Sequence, residues 1–265
     1  MNTIALTDIL IIALYFVIVL GTGFYFSQKR DESSSEYFLA GRNVGWIAIG
    51  FSIFAANISS EHFIGLAGYG ASRGLAVGSF EWLAIIFILI LGWFLAPIFI
   101  KSKVFTIPEF FGNRFNSSVR IYLSAISIVA YLVTKVSVTL FAGGLLLDRI
   151  FGLDIYLSAI IMVVITGMYT IVGGMGAVIY TSVVQAVFLL VGATALTFIG
   201  LNEIGGIAGL HAKLSASYFD FFNGMSDPDI PWTGIIFGGP ILAIWYWWAD
   251  QYIMQRVLCA KNIEA

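Results

Sequence analysis

A chain of 265 residues that is 60% hydrophobic and only 11% charged does not resemble a soluble domain, in which about a quarter of the residues are charged. A net charge of −2 gives no basis for a nucleic-acid partner, and a single cysteine, Cys259, excludes an internal disulfide framework and a cysteine-built metal site. What remains is an integral membrane protein whose first partner is the lipid bilayer.

A helix that crosses the hydrocarbon needs about 20 mostly apolar residues. Seven such segments are expected, at 6–27, 44–70 (interrupted), 75–100, 120–150, 153–173, 175–201 and 232–257. The ten-residue alternation of a barrel is absent, so an all-α membrane bundle is expected, as one domain over 1–265. The first segment has no basic region ahead of it and no small-residue cleavage site behind it, which argues for a retained span over a signal peptide.

The second segment contains FSIFAANISSEHFIGLAGYG at 51–70, where Asn57, Ser59, Ser60, Glu61 and His62 fall within six residues of an apolar run. Serine and asparagine side chains compete for backbone hydrogen bonds, so the helix is expected to break here. Unwound backbone at membrane depth survives where it lines a cavity or is buried in protein, and secondary transporters use its carbonyls to hold a cation beside the substrate. The plainer reading is a packing face at Gly65, Gly68 and Gly70; the two are compatible, because the glycines follow the polar cluster.

Glu81 in the third segment makes three ionisable groups, with Glu61 and His62, within 21 residues. Each costs about 3 kcal/mol at mid-bilayer, so the set reads as a site or pathway. Lys135 and Asp250 read equally well as site groups or as helix–helix hydrogen bonds. In the last segment Tyr246, Trp247 and Trp248 lie about two turns deeper than the basic interface at Arg256. Aromatic faces beside carboxylates and amides suit the C–H face and hydroxyls of a sugar; an interfacial aromatic belt is the alternative.

The joints set the orientation. Lys29, Arg30, Arg42, Lys101, Lys103, Arg114, Arg120, Arg256 and Lys261 fall on one side, and only Arg73, Arg149 and Lys213 on the other. The positive-inside rule places the first group and the C-terminal end in the cytoplasm, with the N-terminus and the 202–231 loop outside.

Five stretches taken in order resemble the sodium:solute symporter family, and within it the sodium/glucose branch. They are EYFLAGR at 36–42, AANISSEHFIGLAGYGASRGLAVGSFEW at 55–82, TIPEFFGNRF at 106–115, YTIVGGMGAVIYTSVVQ at 169–185 and WYWWADQYIMQRVLCAKN at 245–262. The resemblance implies a multi-pass plasma-membrane symporter of leucine-transporter type: a leading helix, the first five-helix inverted repeat and the first helix of the second. By the same resemblance, the backbone carbonyls of Ala55 and Ile58 contribute to a Na+ site. Asn57, His62 and Glu81 take sugar hydroxyls, Tyr246 stacks on the pyranose, and Trp247 neighbours it. The expected substrate is a sugar or polyol such as glucose or galactose, and no enzyme activity is expected.

Ser182 stands where the family signature has aspartate, which favours one sodium over two, and Ala84 replaces a polar residue found near the sugar in some members. Family members are roughly twice as long, so the resemblance implies a fragment whose C-terminal half, completing both sites, is missing. Proton coupling through His62 and Glu81, a different small solute and a symporter-like membrane sensor are alternatives. A hydrolase pairing His62 with Ser59 or Ser60 is disfavoured, since a serine so near in sequence rarely reaches the imidazole.

Overall fold

The computed structural model describes residues 5–28 and 33–263; Lys29 and Arg30 of the basic set lie outside the described residues. In chain order the helices are α1 (Leu6–Gln28), α2 (Ser34–Leu39), α3 (Trp46–Asn57), α4 (Ala67–Arg73), α5 (Ser79–Ile90), α6 (Ala96–Ser102) and α7 (Ile107–Arg114). They continue with α8 (Ser117–Ala130), α9 (Ser137–Phe151), α10 (Ile155–Ile204), α11 (Gly206–Lys213), α12 (Gly239–Ile244) and α13 (Gln251–Leu258). Among the described residues the only β pairing is two isolated bridges, Val44 with Ala260 and Asn223 with Pro231.

Among the described residues, four helical stretches are long and apolar enough to cross a membrane: Leu6–Gln28, Leu75–Ser102, Ser117–Phe151 and Ile155–Ile204. The pair Trp46–Asn57 and His62–Arg73 makes a fifth, broken span. In the most apolar 18 residues of each unbroken span no more than 28% are buried within the protein, so these helices present apolar side chains outward, as lipid-facing helices do. At 50 residues α10 holds more than enough helix for two spans of about 20 residues, and it divides at Gly174 (φ 60, ψ −158) into the two segments expected at 153–173 and 175–201.

Several spans widen into π-helical turns. Those at Leu91–Leu95 and Gly234–Gly238 come just before Pro97 and Pro240, which have no N–H to continue the α ladder. The segment expected as one helix over 232–257 is divided: a π turn at Trp245–Ala249 ends at Asp250, whose backbone is extended (φ −69, ψ 117), and α13 starts anew.

The chain forms two compact units. The first contains Met1–Glu61, Phe99–Ala186 and Gln251–Ala265; the second contains His62–Ile98 and Val187–Asp250.

In the first unit, side chains of the sequence motifs hold one another's backbones. The Arg42 guanidinium donates to the carbonyls of Lys103 (2.7 Å) and Val104 (3.0 Å) and lies over the Phe105 ring. Thr106 caps α7 by accepting from the Glu109 N–H, and Glu109 accepts in return from the Phe105 N–H at 2.7 Å. From α13, Gln251 accepts from the Ile107 N–H at 2.7 Å and Gln255 donates to the Phe38 carbonyl at 2.6 Å. Buried Arg256 donates to the Ser52 hydroxyl at 2.9 Å. Gly174 passes so close to α2 that a Cβ there would sit 2.7 Å from the Tyr37 carbonyl oxygen. Ile107, Ile253, Met254, Leu258 and Cys259 belong to this unit's buried set. Cys259 donates its thiol proton to the Gln255 carbonyl, and burial pushes the thiol pKa up to about 12.

The second unit contains the π turn His62–Leu66, α4, α5, the later part of α10, α11 and the chain from there through Asp250. Its core joins Val77, Ile230 and Ile235, with Leu66 packed against them. Gly239 lets α12 approach α5, since a Cβ there would meet the Leu83 side chain at 2.8 Å.

Candidate functional site

In the first unit α3 ends where the polar cluster begins. Its closing bond runs from the Ile58 N–H to the Phe54 carbonyl, and Ile58 itself is extended (φ −88, ψ 119). The carbonyls from Ala55 onward therefore lie past the end of the helical ladder, where a helix leaves its last acceptors without intrahelical partners. Asn57 is the last helical residue and is half-buried, as are Ala55 and Ile58. Ser60 anchors the chain after the break by donating to the Thr139 carbonyl of α9 at 3.2 Å. Several backbone carbonyls at the end of an apolar helix form a hard oxygen set suited to a cation of the sodium class.

In the second unit, His62 opens the π turn and Glu81 lies in the first turn of α5. The structure brings them together: His62 Nε2 is 3.5 Å from Glu81 Oε1, with both side chains partly exposed. An imidazole and a carboxylate at this spacing present a donor and acceptors in one direction, as a polyhydroxyl ligand requires. Glu61, counted with them from the sequence, is exposed.

Tyr246 and Trp247 lie on the π turn Trp245–Ala249, with ring centroids 5.0 Å apart and planes nearly perpendicular. Trp247 is buried and Tyr246 half-buried, so the tyrosine ring is the more accessible face. Trp248 fixes the turn against α5: its indole N–H donates to the Phe87 carbonyl at 2.9 Å, and its ring lies 5.4 Å from that of Phe87.

Of the other polar groups singled out from the sequence, Lys135 places its ammonium 4.3 Å from the centroid of the Tyr252 ring, and the Arg256 guanidinium lies 4.7 Å from that centroid. Asp250 is buried at the second break. Ser182 is buried and donates to the Val178 carbonyl of its own helix at 2.7 Å. Tyr252 and the Arg256–Ser52 bond were not among the expected site groups, and Trp248 was expected only as one of three aromatic faces. The only sequence signal for them is their place in the aromatic and basic run at 245–256. No group of three or more His, Cys, Asp and Glu side chains able to hold a metal occurs among the described residues.

The model of the sodium:solute symporter family matches residues 37–265. Sodium/glucose cotransporter 1 of Mus musculus is 43% identical over 282 residues, an alignment that covers 97% of this chain and 42% of that protein. Sodium/myo-inositol cotransporter of Homo sapiens is 40% identical over 284 residues, covering 97% and 40%. The chain thus spans about two fifths of the length of these relatives. A solved structure of a Na+-coupled sialic acid symporter, in a substrate-bound outward-open state, superposes with a TM-score of 0.83 at 26% identity, covering 94% of this chain and 52% of that one.

Proposed function

The chain belongs to the sodium:solute symporter family, and from that membership we propose that it recognises a sugar or polyol as part of a sodium-coupled carrier. The observation that carries the sugar reading is the His62–Glu81 pair, a donor and acceptor set 3.5 Å apart in a chain otherwise built of apolar spans.

Sodium, as co-transported cargo, binds at the end of α3 through the carbonyls of Ala55 and Ile58. It orders the extended backbone there, and with it Asn57 and the start of the π turn that carries His62. Asn57, His62 and Glu81 exchange hydrogen bonds with the sugar hydroxyls. The accessible face of Tyr246 covers the C–H face of the ring, with Trp247 behind it. Inward movement of one sodium gains about 2.3 kcal/mol per 100 mV. With tenfold worth about 1.4 kcal/mol, that sustains roughly a 50-fold accumulation of a neutral solute before the sodium gradient is counted.

The test is labelled glucose and myo-inositol uptake into vesicles, with the chain co-expressed with a segment covering the remaining length of its relatives. Uptake is expected to need sodium, to rise with an inside-negative potential, and to be lost in Glu81→Gln and Tyr246→Ala. Uptake driven equally well by a pH gradient without sodium overturns the coupling. Strong uptake by the 265-residue chain alone overturns the need for a companion segment.

A further inference from the structure

The chain between α11 and α12 does not loop freely in the second unit but is fastened along its length to the helices that carry His62 and Glu81. Near its start, the Tyr218 hydroxyl donates to the Ser72 carbonyl at 3.1 Å. Tyr218's own backbone passes Gly74 (φ 82) so closely that a Cβ at 74 would sit 2.6 Å from the Tyr218 carbonyl oxygen. Phe221 then meets the Trp82 ring edge-on at 5.4 Å, one residue beyond Glu81. Finally the Arg73 guanidinium, at the last residue of α4, reaches Asp229 at 2.7 Å and Asp227 at 3.1 Å.

Asp227 is itself held in place: it accepts from the N–H groups of Asp229 (3.0 Å) and Ile230 (2.8 Å) and from the Asn223 amide (3.1 Å). Ile230 then enters the core with Val77, Ile235 and Leu66, and Leu66 is the last residue of the His62 π turn. The same stretch leads within three residues into the helical run Gly234–Ala249, which carries Tyr246 and Trp247. A single arginine therefore joins the end of the His62-bearing helix to the root of the aromatic-bearing one.

We propose that residues 218–231 form a strap whose ionic clasp, Arg73 with Asp227 and Asp229, ties these two helices together and thereby positions His62 and Tyr246 for the solute. The positioning rests on the sugar reading above; the strap does not. One terminal nitrogen of the guanidinium reaches both carboxylates, Asp227 at 3.1 Å and Asp229 at 2.7 Å, so an ammonium of similar reach can replace part of the clasp. The apolar contacts at Phe221 and Ile230 keep the strap near its seat when the clasp is lost, so Arg73 variants are expected to loosen it locally and leave the helices folded.

Two measurements test this. Hydrogen exchange on the chain in lipid nanodiscs reads the strap directly. Arg73→Gln should raise exchange at 223–231 about tenfold and leave α7 and α8 unchanged, Arg73→Lys should fall between, and Asp229→Asn should reproduce part of the effect. Unchanged exchange at 223–231 in Arg73→Gln overturns the strap, and so does an equal rise throughout the chain, which would mark Arg73 as a general folding residue. Uptake kinetics, with the companion segment present, read the positioning. KM for the sugar should rise about tenfold in Arg73→Gln, with the maximal rate and the sodium dependence kept and KM largely restored in Arg73→Lys. A loosened strap with an unchanged KM overturns the positioning role, whereas absence of sugar uptake by the unsubstituted protein is a failure of the functional reading and leaves the exchange result to decide the strap.

Discussion

Asp227 shows how much a single side chain can be asked to hold. Hydrogen bonds from the Ile230 and Asp229 amides, then the Arg73 guanidinium and the Asn223 amide, keep its carboxyl below the ordinary value of 3.8. A carboxylate whose pKa is depressed by folding contributes stability that is fully present above 3.8 and is lost as pH falls through the depressed folded value. The turn at 227–230 should therefore stay closed through mild acid and open only below the usual carboxylate range. Pepsin, active in that window, reads the opening: cleavage within 220–231, normalised to an unfolded substrate, should rise between about pH 4 and pH 2. In Asp227→Asn it should be high already at the upper end and change little. Flat normalised cleavage in the unsubstituted protein would show that the carboxylate does not hold the turn. His62 and Glu81 are a different kind of pair: both side chains are partly exposed, with the imidazole and the carboxylate 3.5 Å apart.

At the scale of elements, breaks matter more than the helices themselves. The division at Asn57 is legible in the sequence because serine and asparagine cluster there, and the division of α10 is legible because two glycines fall between two span-length runs. The division at Asp250 is not legible. One aspartate between an aromatic run and an amphipathic helix leaves the apolar pattern unbroken, and only the extended backbone at that residue reveals it. The π turns are legible only where a proline follows, and the strap not at all, since Arg73 and Asp227 are 154 residues apart. The candidate site divides the same way. The pairing of His62 with Glu81 is legible as polar groups in apolar spans, whereas the bond from Trp248 to Phe87 depends on the rotation of a π turn that no residue pattern specifies. Gly174 supplies the sharpest test at this scale. Its φ and ψ lie where only glycine is comfortable, and a methyl group would press on the Tyr37 carbonyl. Gly174→Ala should destabilise the protein by about 3 kcal/mol, strain and overlap together, read as a lowered midpoint in thermal or denaturant melts. Gly167→Ala, in open space on the same helix, should be near neutral or slightly stabilising.

Over the whole molecule, the basic side chains carry an orientation that the fold alone does not, since a helical bundle is geometrically indifferent to which face meets the cytoplasm. We expect Asn113 in α7 to face the cytoplasm and Ser215, just before the strap, to face outside. Both are exposed. In intact cells a membrane-impermeant maleimide should label Ser215→Cys at once and Asn113→Cys only after permeabilisation; the reverse order would invert the topology. The same experiment draws on Cys259, the chain's single cysteine. A thiol sealed in a core, donating to the Gln255 carbonyl and holding its proton up to about pH 12, is silent toward maleimides at neutral pH. Residues 1–265 thus bring no reactive thiol of their own to cysteine scanning. Any label found on an engineered position reports that position alone, so access along the polar break could be mapped residue by residue without first removing a native thiol.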